Sequence, residues 1–321
     1  MSLDAQSLYP AFMSRSLKAH LLLLAVVFVW GATFALVKSA LADISPLLFN
    51  LFRMLLATLS LALLYRRHIG QIDRPTLISG AITGFCLAAG YQFQTAGLRL
   101  TTPSKCAFIT GLVVVIVPLL LVVPWLRPAG THAPRWNAYL GALTAFGGIL
   151  LLTTPAHAGL DFSSMNSGDL LTLGCSLAFS FHMLAIAHFA PRVGFEQLAV
   201  LQVAFAALFM GFSLPIFEHP FVHWTPRVVI ALLIAALLAT AAAFTIQSWA
   251  QQFIPPTHTA LLFTLEPVFA WLTSFVFLGE RLGIRSSIGA LLILGGIGLT
   301  ELLPQRIQPT AHETAPLSVE E

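Results

Sequence analysis

Charge is scarce in this sequence. Only 9% of its 321 residues are Asp, Glu, Lys or Arg, against roughly a quarter in a soluble globular domain, which excludes a chain folded chiefly for water. Cysteine is rarer still: Cys86, Cys106 and Cys175 are the three, each inside or at the edge of an apolar run and without disulfide or zinc-ligand spacing, so neither a disulfide scaffold nor a zinc module is expected. The 16 Lys and Arg are scattered rather than clustered, which argues against a nucleic-acid partner. HExxH, GxSxG and phosphate-binding GxxxxGK[ST] patterns are missing, and no hydrophilic stretch is long enough for an ATPase domain. The reading is therefore not an enzyme, with no cofactor and no metal site. No lipidation pattern is visible.

Apolar residues, by contrast, make up 57% of the chain, and they come in runs of about 18 to 25, the length that crosses a roughly 30 Å hydrocarbon core as helix. Ten spans are expected, at 18–40, 45–65, 75–98, 104–126 and 136–154, then 168–190, 195–217, 226–252, 257–279 and 284–303. The expected fold class is thus an all-α integral membrane protein. Its organisation would be an N-terminal segment (1–17), a first five-helix unit (18–154), a polar link (155–167), a second five-helix unit (168–303) and a disordered polar tail (304–321).

Positive charge favours a cytoplasmic N-terminus. That orientation puts Arg15, Lys18, Arg66, Arg67, Arg74, Arg127 and Arg135 inside and Lys38, Arg99 and Lys105 outside. The bias fades in the second half, where Arg192 and Arg306 fall inside and Arg227, Arg281 and Arg285 outside. Five is an odd number of crossings, so a second copy of a five-helix unit would lie upside down, and a weakened bias is what such a pair would show. Sliding the chain on itself by roughly 150 residues supports the duplication. Gln94 falls on Gln247, Pro103 on Pro256, Ala107 on Ala260, and Gly147-Gly148-Ile149 on Gly295-Gly296-Ile297.

An ionisable group in the hydrocarbon core is costly unless it faces a cavity or a partner. Arg53, inside the second span, and Glu266, inside the ninth and just before Pro267, are the two that stand out. Their repeat counterparts are uncharged: Arg53 lies over Gln202 and Glu266 over Val113. Lining a central cavity, the arginine would attract an anionic group and the glutamate a cationic one or a proton; the alternative is a structural ion pair. Tyr91, Gln94 and Thr95 share one face of the third span, and Phe244, Gln247, Ser248 and Gln251 one face of the eighth, by i, i+3, i+4 spacing. Trp30 and Thr33 on the first span, His182 in the sixth and Trp271 in the ninth complete the candidate set. Each also has a packing explanation. Lys38 and Lys105 lie near span ends, where they can snorkel to headgroups. Gly80, Gly84, Gly141, Gly147 and Gly148 permit close helix contact.

Three stretches carry a family resemblance. VWGATFALVK (29–38) resembles the opening Trp-Gly motif of the EamA-type transporters of the drug/metabolite transporter superfamily. AFITGLVVVIVPLL (107–120) is similar to that family's fourth helix, and ALLFTLEPVFAWLTSFVFLGERL (260–282) to its ninth, with the Glu-Pro pair and trailing Gly-Glu. The resemblance covers nearly all of residues 20–303. It implies ten helices in two inverted repeats, both termini cytoplasmic, and a central cavity exposed alternately to each side. The Glu-Pro pair carries over to Glu266 and Pro267, the Trp-Gly pair to Trp30 and Gly31, and Arg53 resembles a frequent second-helix arginine. One departure is Pro118, which lies over Trp271 rather than Pro267, so the halves need not bend at equivalent places.

The expected function is secondary transport of a small metabolite, an amino acid or related compound or a drug-like molecule, across the inner membrane by alternating access, in the direction of efflux. The partners are that small-molecule substrate, a proton as a second candidate, and the lipid bilayer. A non-transporting membrane sensor or scaffold on the same fold is the alternative, separable by solute flux. Substrate identity, coupling and oligomeric state are not written in these motifs.

Overall fold

The computed structural model describes residues 15–68, 70, 72–128, 133, 135–153, 165–254, 259, 262, 263 and 265–301. Almost all of the expected N-terminal segment and of the link, and the whole tail, lie outside them. Ten apolar helices are found among the described residues. The first five are α1 (Arg15–Ala40), α2 (Pro46–Leu64), α3 (Arg74–Leu100), α4 (Pro103–Leu120) and α5 (Trp136–Thr153); the second five are α6 (Ser167–Phe189), α7 (Phe195–Phe217), α8 (Pro226–Ala250), α9 (Glu266–Leu278) and α10 (Ile284–Glu301). Seven are long and apolar enough to cross a membrane, and α5, α9 and α10 contain shorter apolar stretches. The bundle turns apolar side chains outward, among them Leu63, Phe85, Leu143, Phe212, Phe277 and Leu291, as a lipid-facing surface requires.

Local sequence explains the helix ends. Proline opens α2 (Pro46), α4 (Pro103) and α8 (Pro226), where its missing N–H leaves no bond unmade. Asp73, Thr102, Asn166 and Thr225 cap α3, α4, α6 and α8 by accepting a backbone N–H three residues on. Gly279, at φ +67°, ends α9 in the left-handed conformation that glycine adopts without strain.

Two helices depart from regularity. The expected continuous fourth span breaks at Gly111-Leu112 into Pro103–Thr110 and Val113–Leu120. Its counterpart α9 begins at Glu266 with Pro267 in its first turn, so this proline starts the helix rather than bending it. The capping residues Leu112 and Leu265 are repeat counterparts, so both halves are interrupted at the same place, whatever the position of Pro118. These interruptions meet across the bundle: a β-carbon at Gly111 would sit 3.1 Å from Pro267 Cγ. In α8, residues Ile234–Ala242 form a π-helical turn.

Packing follows the duplication. Exchanging the halves maps the α3–α6 contact onto α8–α1, α3–α7 onto α8–α2 and α1–α9 onto α6–α4, while α2–α7, α4–α9 and α5–α10 map onto themselves; all of these pairs are in contact. The seam between α5 and α10 shows the inversion directly. A β-carbon on Gly148 would lie 2.6 Å from Gly289 O, and one on Gly296 2.5 Å from Gly141 O. Position rises along α5 as it falls along α10, so the fifth helices of the two units run antiparallel. The protein is therefore two inverted five-helix repeats, held at this seam by glycines that let the backbones touch.

Candidate substrate cavity

Between the repeats lies a cavity of about 70 Å³. Its wall brings together Trp30 and Thr33 from α1, Arg53 from α2, Tyr91 and Gln94 from α3, His182 from α6, Gln247 from α8 and Glu266 at the start of α9. Phe179, Phe244 and Phe263 add three aromatic rings. The rings form a chain across the pseudo-twofold axis: Phe179 to Tyr91 (5.2 Å between centroids), Tyr91 to Phe244 (6.1 Å), Phe244 to Trp30 (5.6 Å) and Trp30 to Phe263 (5.1 Å). These contacts, edge-to-face except for the tilted Trp30–Phe244 pair, build a rigid apolar wall.

The repeat-1 side of the cavity holds a cation. Arg53, 4% exposed, donates through Nε to Thr240 Oγ1 (2.6 Å) and through Nη2 to Tyr91 Oη (2.8 Å) and Ala239 O (3.1 Å), with its guanidinium carbon 4.1 Å from the Tyr91 ring centroid. Asn50 braces α3 from the same helix by donating to Tyr91 O (2.9 Å), and Thr95 donates to Asn50 Oδ1 (3.1 Å). Trp30 Nε1 donates to Ala239 O (2.8 Å), which fixes the indole against α8.

Glu266 differs from Arg53 in having no partner among the described residues. Among the described residues its carboxylate makes no hydrogen bond or ion pair, and in particular none with Arg53. Gln247 Oε1 is buried without a donor as well. The wall thus offers unused acceptors from repeat 2 and a held guanidinium from repeat 1.

Two candidates fall outside the wall. Trp271 is 37% exposed and packs on Phe275; five residues past Glu266 turns a helix by about 140° from it, so the side chain leaves the cavity face. Gln202 is fully buried one layer back, accepting from His182 Nε2 through Oε1 (2.8 Å) and donating through Nε2 to Ser248 Oγ (3.1 Å). Its amide is consumed in holding α6, α7 and α8 together. Phe179, Phe263 and Thr240 were not picked out by the sequence reading. Thr240 had one signal, a lone hydroxyl in the apolar run 228–244.

One end of the bundle, where α1 and α3 finish and α4 and α6 start, is tied by polar groups. Lys38 Nζ donates to Leu98 O, Arg99 O and Thr101 O at 2.8 to 2.9 Å, an alternative to snorkelling. Lys105 pairs with fully buried Asp169 at 3.0 Å, Thr101 donates to the same carboxylate (2.7 Å), and Glu280 accepts from Ser104 N (3.3 Å). The loops after α1 and α7 join there in an antiparallel bridge, Ile44 to Val222.

Inverted helical repeats around a cavity that holds buried polar groups, with interrupted helices meeting at it, point to a polytopic membrane protein of the transporter class. The EamA-like transporter family model matches residues 17–154 and again 166–302, and the chain belongs to that family. It is 32% identical over 288 residues to an uncharacterized transporter of Archaeoglobus fulgidus, covering 90% of this chain and 87% of that protein. It is 26% identical over 291 residues to the uncharacterized transporter YoaV of Bacillus subtilis, covering 87% and 95%. A solved crystal structure superposes with a TM-score of 0.65 at 22% identity, over 91% of this chain and all of that one, a likeness of fold alone. The protein is a membrane transporter.

Proposed function

We propose that this transporter is a secondary carrier of a small zwitterionic metabolite, an amino acid or a related compound, moved by alternating access of the cavity to the two membrane faces. The observation that carries the proposal is that Arg53 and Glu266 line one cavity without pairing with each other. Two opposite charges left unpaired in a low-dielectric interior are costly, and a substrate bearing a carboxylate and an ammonium neutralises both. The aromatic wall suits an apolar side chain. Glu266 can hold a proton when the ammonium is absent, which gives the carrier a means of exchange. Interrupted helices at the cavity support rocking of one repeat against the other.

The inner membrane, with both chain ends cytoplasmic, is the location we infer from the positive charges of the first half. In that orientation the polar ties of Lys38, Lys105, Asp169 and Glu280 lie at the outer end, which supports a resting carrier filled from the cytoplasm and working in export. The division into units 18–154 and 168–303 belongs to the same proposal. The test is flux in proteoliposomes with a panel of radiolabelled amino acids: Arg53→Ala and Glu266→Gln should each fold and lose transport. Parental rates in both variants would overturn the assignment.

A further inference from the structure

The π-helical turn of α8 has no equivalent in α3, whose corresponding stretch, 81–89, is regular α-helix. Such turns redirect backbone groups and recur at functional sites. Here Ala243 N–H bonds Leu238 O and Thr240 O, passing over Ala239 O. Ala239 O is the carbonyl that accepts both Trp30 Nε1 (2.8 Å) and Arg53 Nη2 (3.1 Å). Thr240 donates its hydroxyl proton to Ala235 O, five residues back (2.8 Å), so its oxygen faces Arg53 Nε as an acceptor at 2.6 Å.

The donor count is then fixed. A guanidinium has five N–H groups. Nε uses one on Thr240, and Nη2 uses two, on Tyr91 Oη and Ala239 O. The two that remain are both on Nη1, which has no partner among the described residues. Tyr91 Oη accepts from Arg53, and its own proton has no acceptor among the described residues; both side chains are 4% exposed and both line the cavity. Both residues line the cavity, so a ligand bound there can reach the unused donors.

We propose that the π turn is a positioning element for a substrate carboxylate: Ala239 O and Thr240 Oγ1 occupy one edge of the Arg53 guanidinium and leave Nη1, with the Tyr91 hydroxyl beside it, as a seat of three donors. Thr240 does not line the cavity; it acts through Arg53. This inference rests on the zwitterion reading above and refines it. A carboxylate, which only accepts, fits three donors. A carboxamide turns an NH₂ toward at least one of them and is rejected.

The test is ligand-induced thermal stabilisation of purified protein, with L-phenylalanine, L-leucine and L-methionine as probes and the three corresponding amides as controls. In the parent, at least one amino acid should bind about tenfold or more tightly than its amide. Thr240→Val, which keeps the shape and removes the acceptor, should reduce that ratio to about twofold. Thr240→Ser should restore it, a rescue that general packing damage would not give. If Thr240→Val does not fold, Tyr91→Phe takes its place and should lower the same ratio severalfold. A parental ratio in the folded variant overturns the positioning role and leaves the zwitterion carrier standing. A parent that binds acid and amide alike, or none of the six probes, overturns both.

Discussion

The two five-helix repeats descend from one pattern but present opposite chemistry to the cavity they share. At one register position repeat 1 has Arg53 and repeat 2 has Gln202. The arginine reaches the cavity and is held by three hydrogen bonds, whereas the glutamine stays behind the wall between His182 and Ser248. At another, repeat 1 has Val113 and repeat 2 has Glu266, at equivalent interruptions of α4 and α9. Shape has been kept and charge has not. The difference teaches that an inverted duplication supplies a symmetric frame, while single asymmetric substitutions give the cavity a guanidinium on one side and a carboxyl group on the other. On the proposed reading, a zwitterion would bind in one orientation.

Breaking the polarity should have the largest effect. Glu266→Gln and Arg53→Ala are each expected to lower the initial rate of amino-acid flux in proteoliposomes by about 10² to 10⁴-fold, given that a buried charge left without its counter-charge costs about 3 to 5 kcal/mol. Arg53→Lys should rescue little, because an ammonium cannot bond Thr240, Tyr91 and Ala239 and still present donors to substrate. The seam between the repeats gives the next largest effect. Gly148→Val places a β-carbon 2.6 Å from Gly289 O and should destabilise by about 1 to 3 kcal/mol or more, seen as a lower melting temperature in detergent. The neighbouring Gly147→Ala meets nothing within 4 Å and should melt like the parent. Gln202→Ala tests the neutral counterpart of Arg53. It should cost about 1 to 3 kcal/mol of stability by stranding His182 and Ser248, yet reduce flux far less than Arg53→Ala does.

The smallest effect distinguishes the caps of α3 and α8, which are also counterparts. Asp73 accepts from Thr76 N (2.9 Å) and Thr225 from Val228 N (3.4 Å). Hydrogen bonds from Thr76 hold the Asp73 carboxyl below its ordinary pKa. A depressed carboxyl stabilises the fold above the pH at which the unfolded side chain titrates, and that contribution is lost as pH falls through the lower folded value. Asp73→Asn should therefore flatten the acid limb of the melting profile slightly, by about a degree, and Thr225→Ser should leave it unchanged.

Much of this was legible in the sequence, for identifiable reasons. The seventh span, expected at 195–217, coincides with α7 because Gly194 and Glu218 bound an uninterrupted apolar run. Polar residues on otherwise apolar helices, Arg53, Gln94, His182, Gln247 and Glu266, turn inward to one cavity, since lipid offers them no partner. Trp271 misled because an aromatic side chain is equally at home against lipid, so its identity says nothing about its face. The π turn was illegible: residues 234–242 are Ala- and Leu-rich, and such a stretch reads as plain α-helix until a carbonyl is seen to skip its usual donor. Nor could the sequence foretell that α4 and α9 break together. Proline drew attention to Pro118 and Pro267, but the break falls at Gly111-Leu112 and its counterpart.

The most direct measurement is parallel flux of L-phenylalanine, N-acetyl-L-phenylalanine and L-phenylalaninamide into proteoliposomes holding the parent protein, with L-leucine and L-methionine and their derivatives run alongside. If Arg53 and Glu266 seat the two ends of one molecule, at least one amino acid crosses and its two singly charged derivatives cross about tenfold more slowly or not at all. Equal flux of an amino acid and both of its derivatives, or flux of the derivatives alone, would contradict it.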